Sequence, residues 1–219
     1  IAPQFPVRTT HGMIDGKPAD KKELQDYAAI FVPEFSLYPT ELVRRSRLKR
    51  IVLCKDLSFA GQKRGAIPDY EHDTLYLYVS FANPNKSYLR KVVHHEFFHI
   101  IDFRDDGNVY RDERWASLNP PKFRYGDGGK NAQGVKDTSV LTDKFPGFLN
   151  RCSTTGVEED KAEIFANLIV DSGYVADRVK TDRVLQAKEQ RMKELLSDFC
   201  PQMNDAFWTK AGKLKRSND

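Results

Sequence analysis

The chain has 219 residues, 40% hydrophobic and 30% charged, which is an ordinary globular composition with enough length to bury a core. No apolar run approaches membrane-spanning length, and a net charge of +4 is too mild to imply a nucleic acid or a membrane as partner. Three widely spaced cysteines, Cys54, Cys152 and Cys200, do not form the pattern of a disulfide framework, and the lack of a Cys-x-x-Cys pair argues against a thiolate zinc site.

No repeat or low-complexity linker divides the sequence, so a single domain over 1–219 is expected, with an N-terminal lobe over about 1–103 and a C-terminal lobe over 104–219. No signal-peptide pattern is visible, and a start at Ile1 rather than Met fits either a removed leader or a trimmed chain. Residues 1–18, rich in Pro and Gly, are expected to lie over the surface. The stretch ADKKELQDYAAIFVPEF has helical spacing, with Leu24, Tyr27, Ala28 and Phe31 on one side, and TELVRRSRLKR reads as another short helix. RIVLCKDLSF and DTLYLYVSF are rich in β-branched and aromatic residues and read as strands, with Cys54 a small buried hydrophobe in the first. In the second, Leu75, Leu77 and Val79 face one way, and Thr74, Tyr76 and Tyr78 the other.

The tripeptide NPN ends that strand, and Ser87 is the expected N-cap of a helix from about Tyr88 to Phe103. Its buried stripe is Leu89, Val92, Val93, Phe97 and Ile100. From about Arg104 to Gly156 the chain is dense in Gly, Pro, Asp and Asn, and an irregular stretch of that length inside a compact domain usually marks function. VEEDKAEIFANLIVDSG and TDRVLQAKEQRMKELLSDFC are two further helical segments, and a tail with Phe207 and Trp208 is expected to pack back.

Within KVVHHEFFHIID, His95, Glu96 and His99 form His-Glu-x-x-His on the predicted helix. Residues four apart on a helix differ by only about 40°, so both imidazoles leave one face and can share one ion. Neutral imidazole is a good zinc ligand. Glu96, rotated by about 100° along the helix, is poorly placed as a ligand but well placed to act as general base on water at the ion. The plain alternative is a satisfied pair of core histidines beside a solvated glutamate. His94 lies about 140° around from His99 and is read as a partner of neighbouring groups. His11 and His72 are isolated and read as surface residues. A catalytic zinc takes three protein ligands, and GVEEDKAEIFANLI is the best source of the third. Glu159 and Glu163 share a helix face, so one can bind the ion while the other accepts a hydrogen bond from a ligand histidine. The alternative there is two exposed glutamates on a charged helix.

HEFFHIID followed by EDKAEIFA resembles the zincin class of zinc peptidases, above all the anthrax lethal factor-like and Pro-Pro endopeptidase-like domains and the bacterial families named "putative zinc-binding metallopeptidase". The resemblance covers roughly Tyr88 to Val170, including the segment WASLNPPKFRYGDGG, which is similar to a linking loop of those families. It implies an α+β, zincin-like metalloprotease fold: a small mixed β-sheet, an active-site helix and a mainly helical C-terminal part. It also implies one catalytic Zn2+ held by His95, His99 and Glu159, Glu96 as general base, and Asp102 and Glu163 as supporting residues. The implied activity is endopeptidase cleavage of a protein or peptide substrate by a monomer, without nucleic acid or membrane. Many such peptidases are secreted or delivered into another cell, although the free cysteines also permit an intracellular life.

One departure matters. Relatives often carry a Tyr seven residues before the ligand Glu, where it stabilises the oxyanion, and Cys152 stands there. A thiol is a weak donor, so either Tyr125 or Tyr110 takes the role or turnover is slow. Cys152 is also the best support for a competing reading, a non-catalytic zinc-stabilised protein-binding module. RRSRLKR is read as a solvated helix face rather than a phosphate-binding patch, and DDGNVYRDE lacks the spacing of a calcium loop. DTLYLYVSF is either an edge strand that pairs with substrate or an interior strand. Trp115, Phe123 and Tyr125 are either a specificity wall or, by preference, a local mini-core.

Overall fold

The computed structural model describes residues 4–80, 85–126 and 138–216. Its sheet is built on a parallel pair, Arg50–Phe59 (β3) beside Thr74–Tyr78 (β6), in the register Ile51 to Leu75 and Leu53 to Leu77. The remaining pairings are antiparallel. With β1 (Val7–Thr9), β2 (Gly12–Pro18), β4 (Gln62–Lys63) and β5 (Ala66–Asp69), the order is β1-β2-β3-β6-β5, and β4 pairs β3. The strand DTLYLYVSF is therefore interior, and β5 holds the edge beside it. That edge is the place where Pro68, which has no N–H to give to a further strand, is tolerated. The N-terminal stretch, expected to lie over the surface, forms the β1–β2 hairpin there. Its Ile14 is fully buried against Cys54 and Leu57 in the smaller core.

Side-chain alternation in β6 divides the interior. Leu75, Leu77 and Val79 enter the main core, while Tyr76 joins Ile14, Cys54, Leu57 and Ile67 in a smaller core on the other face of the sheet. The helices are α1 (Lys21–Phe35), α2 (Thr40–Arg45), α3 (Lys86–Asp106), α4 (Glu113–Ala116), α5 (Val157–Val170), α6 (Ser172–Arg178), α7 (Arg183–Phe199) and α8 (Asp205–Gly212), with a 3₁₀ turn at Cys152–Thr154. Helix α3 starts at Asn85, whose side chain accepts the Tyr88 N–H at 2.9 Å, so the cap lies two residues before the expected Ser87. It stops at Gly107, whose φ of 76° is left-handed and suits glycine. Helices α3 and α5 pack face to face through Phe97, Phe98, Ile101, Ala162 and Phe165, with the Phe98 and Phe165 rings 5.2 Å apart. Helix α8 closes the far side, where Phe207 stacks on Tyr38.

The basic run after Thr40 is solvated and mostly paired. Arg44 and Arg45 meet Glu41, and Lys49 meets Asp73. All three cysteines are buried and free. Among the described residues no helix is long and apolar enough to cross a membrane.

A buried ionic hub ties the irregular segment to α5. Lys188 and Asp160 meet at 2.7 Å with no exposure of either side chain. Asp160 also accepts from Trp115 Nε1 at 2.9 Å and Tyr125 Oη at 2.6 Å, while Lys188 donates to the Gly147 carbonyl at 2.7 Å. Phe123 and Tyr125 pack on Phe148 nearby, so these loop aromatics form a mini-core. Removing one partner strands the other charge in the interior, which typically costs about 3–5 kcal/mol. Lys188→Met should therefore lower the unfolding free energy in denaturant by that amount, and adding Asp160→Asn should recover part of the loss. A single variant within about 1 kcal/mol of the parent, which is what an exposed pair would give, would contradict this role.

Candidate metal centre

The apolar seam between α3 and α5 brings their polar residues together at one end. His95 Nε2 lies 3.1 Å from His99 Nε2 and 3.2 Å from one Glu159 oxygen, and His99 Nε2 lies 4.0 Å from the other. One ligand atom from each of the three residues falls within 4.8 Å of the rest. His99 Nδ1 is buried without a partner. Two imidazoles and one carboxylate converging in a half-buried cleft are a group able to hold one metal ion, and the donor set fits zinc with a position left open.

Glu163 is fixed one turn beyond Glu159. Its Oε2 accepts from Asn150 Nδ2 at 2.7 Å and Asn167 Nδ2 at 3.1 Å, which leaves Oε1 3.4 Å from His95 Nδ1. The two glutamates thus take opposite nitrogens of one imidazole. Asp102 sits one turn after His99 on α3 and accepts from the buried Lys161 Nζ at 2.7 Å, a second ionic tie between α3 and α5. Its other oxygen is buried without a partner, as is His99 Nδ1. His94 turns away into the core, where it meets Tyr38 Oη at 2.6 Å and Glu34 at 3.0 Å. Arg216, near the C-terminal end, pairs with the same Glu34. His11 is exposed, and His72 pairs with Asp69 at 2.8 Å.

Glu96 lines the cleft beside this cluster. Burial raises its pKa, His95 lowers it and Glu159 raises it, leaving about 7. Burial also opposes charge on His95, but the carboxylates of Glu159 and Glu163 outweigh it and hold its pKa well above the usual imidazole range. His99 is pushed down to about 3 by burial and by its neighbour His95. Glu159 is raised by burial but lowered more by His95, reaching about 2.

Cys152 donates its thiol to Glu159 Oε2 at 3.3 Å. Burial and that carboxylate push its pKa up, so it remains a thiol. Tyr125 spends its hydroxyl on Asp160 and accepts from Asn119, so it is committed to the hub. Tyr110 is 73% exposed on the cleft rim. Sequence reasoning missed Asn150 and Asn167, and it missed Arg64 and Tyr70, which line the cleft on either side of β5. An i, i+4 offset from Glu163 to Asn167 was a usable signal. The others are brought in by segments with no periodic pattern.

The carboxylates of Glu159 and Glu163 favour the charged form of His95 in the metal-free protein, while His99 and Glu159 are already in their ligand forms. Binding zinc should therefore release about one proton from His95, and Glu96, with a pKa of about 7, adds a fraction as the cation lowers it. Calorimetry at pH 7 in buffers of differing ionisation enthalpy measures the number, and release near zero would mean His95 does not bind the ion.

No protein-family model and no curated protein matches the chain. Its fold is similar to a crystal structure from Bacteroides caccae ATCC 43185, described as a putative zinc-binding metallo-peptidase, with 16% identity and a TM-score of 0.53. The match covers 96% of this chain and 85% of that one. At that identity the likeness carries the architecture alone: an α+β fold with a small mixed sheet and a helical C-terminal part.

Proposed function

We propose that the chain is a zinc-dependent endopeptidase of the zincin class, with His95, His99 and Glu159 as zinc ligands and Glu96 as general base. The observation that carries this reading is the convergence of those three ligand groups in one cleft that Glu96 also lines. Zinc supplies a Lewis acid there, which polarises a scissile carbonyl and acidifies water. Glu96 accepts the proton of the attacking water and passes it to the leaving amine, the general acid–base role of a carboxylate placed beside the ion. Glu163, held by two asparagines, fixes the orientation of His95. The pair Asp102–Lys161 braces α3 against α5 behind His99.

Substrate is taken in extended form along β5, whose outer side pairs with no strand among the described residues and which lines the cleft. Tyr110 and Tyr70, which line the cleft, are candidate hydroxyl donors to a developing oxyanion. Cys152, engaged with Glu159, is not. The competing reading, a zinc-stabilised binding module without turnover, draws its support from that thiol.

Glu96→Gln should retain fold and one bound zinc per chain while reducing kcat by at least about 100-fold on any peptide the parent cleaves. Neo-N-termini generated from a cell lysate provide the assay, and parental cleavage by the variant would remove Glu96 from the mechanism. Glu96 acts only when ionised, so activity falls as pH drops through its pKa. A cation beside it lowers that pKa, so the acid limb of kcat/KM should lie below pH 7 with metal content unchanged. An acid limb above pH 8 would contradict the assignment.

A further inference from the structure

Six arginines among the described residues are half-buried or more: Arg64, Arg90, Arg104, Arg178, Arg191 and Arg216. Five of them pair with a carboxylate, namely Glu34 (twice), Asp73, Asp182 and Glu194. Arg64 does not. Among the described residues no carboxylate oxygen comes within 4.0 Å of it, and its guanidinium bonds the Gln62 side-chain oxygen at 3.1 Å. Partly desolvating a guanidinium without a counter-charge is unfavourable, and burial accordingly pushes its pKa down.

Its place in the fold explains what the charge can do. Arg64 stands two residues before β5, anchored by its own N–H to the Leu57 carbonyl, while the next residue's carbonyl accepts from Tyr78 N–H. It lines the same cleft as His95, Glu96, His99 and Glu159. Glu96, which lines the same cleft, attracts its charge without an ion pair between the two. The neighbouring carboxylates are occupied, Glu159 with His95 and Cys152, Glu163 with His95 and two asparagines. A cation without an ion-pair partner among the described residues therefore lines the cleft, at the start of a sheet edge that pairs with no further strand among them.

We propose that Arg64 is a receptor for a carboxylate of the bound peptide, and that this cleft selects substrates bearing one. The inference rests on the peptidase reading for what occupies the cleft. A segment pairing antiparallel with β5 has its C-terminal side at Arg64, so the carboxylate lies toward the C-terminal side of the paired segment. Two sources supply the same group: an Asp or Glu side chain, or the terminal carboxylate of a short peptide. Guanidinium engages either in a bidentate fork.

The test uses zinc-loaded full chain and quenched peptides matched in pairs, Glu against Gln at each position around the cleaved bond, each as free acid and as amide. The parent should favour one carboxylate-bearing member by about tenfold, mainly through KM. Arg64→Gln should erase that ratio, Arg64→Lys should keep part of it, and Arg64→Glu should turn the preference toward Lys-bearing peptides. Thermal melts of the three variants identify any that fail to fold, and the Lys and Gln variants then decide without the third. Loss of preference on amidation assigns the terminal carboxylate, and loss on Glu-to-Gln replacement assigns a side chain. Fluorescence anisotropy of the same peptides on Glu96→Gln protein, with and without Arg64→Gln, reads binding apart from turnover. Arg64-dependent carboxylate binding without any cleavage by the parent would sink the peptidase reading and leave the receptor standing. Cleavage with equal charge preference in parent and Arg64→Gln would overturn the receptor and leave the peptidase. Neither cleavage nor Arg64-dependent binding would overturn both.

Discussion

The seam between α3 and α5 is the constraint on which the rest of the structure depends. Phe97, Phe98, Ala162 and Phe165 lose all contact with water when the two helices press together, and each large side chain so buried contributes roughly 1.5–3 kcal/mol. The seam fixes the axial and rotational setting of both helices. Once that setting is fixed, His95 and His99 on one helix have no choice but to meet Glu159 and Glu163 on the other. The cost of placing these groups in a partly dry setting is offset within the cluster: His95 bridges two carboxylates, and asparagines hold Glu163.

Helix α5 shows how densely one segment can be used. Glu159, Asp160, Lys161 and Glu163 project in different directions and each meets a different partner: the histidines, the Lys188 hub, Asp102 and the asparagines. A stretch dense in charge is thus almost wholly buried. The hub and the Lys161 tie hold the irregular segment and α3 onto α5, so the cleft walls are anchored to the helix that supplies the third donor group. A site of this kind needs such support, because a displaced shell of about 1 Å is enough to spoil it.

Much of this was legible in the sequence for simple reasons. The strands β3 and β6, the α3 stripe and the pairs at i, i+4 follow from periodicity, since side-chain direction repeats every 2 or 3.6 residues. The placement of His94 away from His95 and His99 follows from the same arithmetic. What stayed hidden was set by tertiary context. The β1–β2 hairpin and the four-residue β5 are too short and too rich in Gly or Pro for a pattern to emerge. Because β5 was not visible, β6 could not be placed in the interior, and Arg64 at its start gave no signal. The commitment of Tyr125 to Asp160 depends on Lys188, 63 residues later, and no local rule connects them.

The account stands on one ion shared by three side chains. Anomalous diffraction at the zinc edge from crystals of the full chain measures this directly. The account expects a single peak bonded to His95 Nε2, His99 Nε2 and a Glu159 oxygen, with Glu163 on His95 Nδ1 and outside the coordination shell. Zinc-soaked crystals with no peak between α3 and α5, or with the ion on Glu163 instead of Glu159, would contradict it.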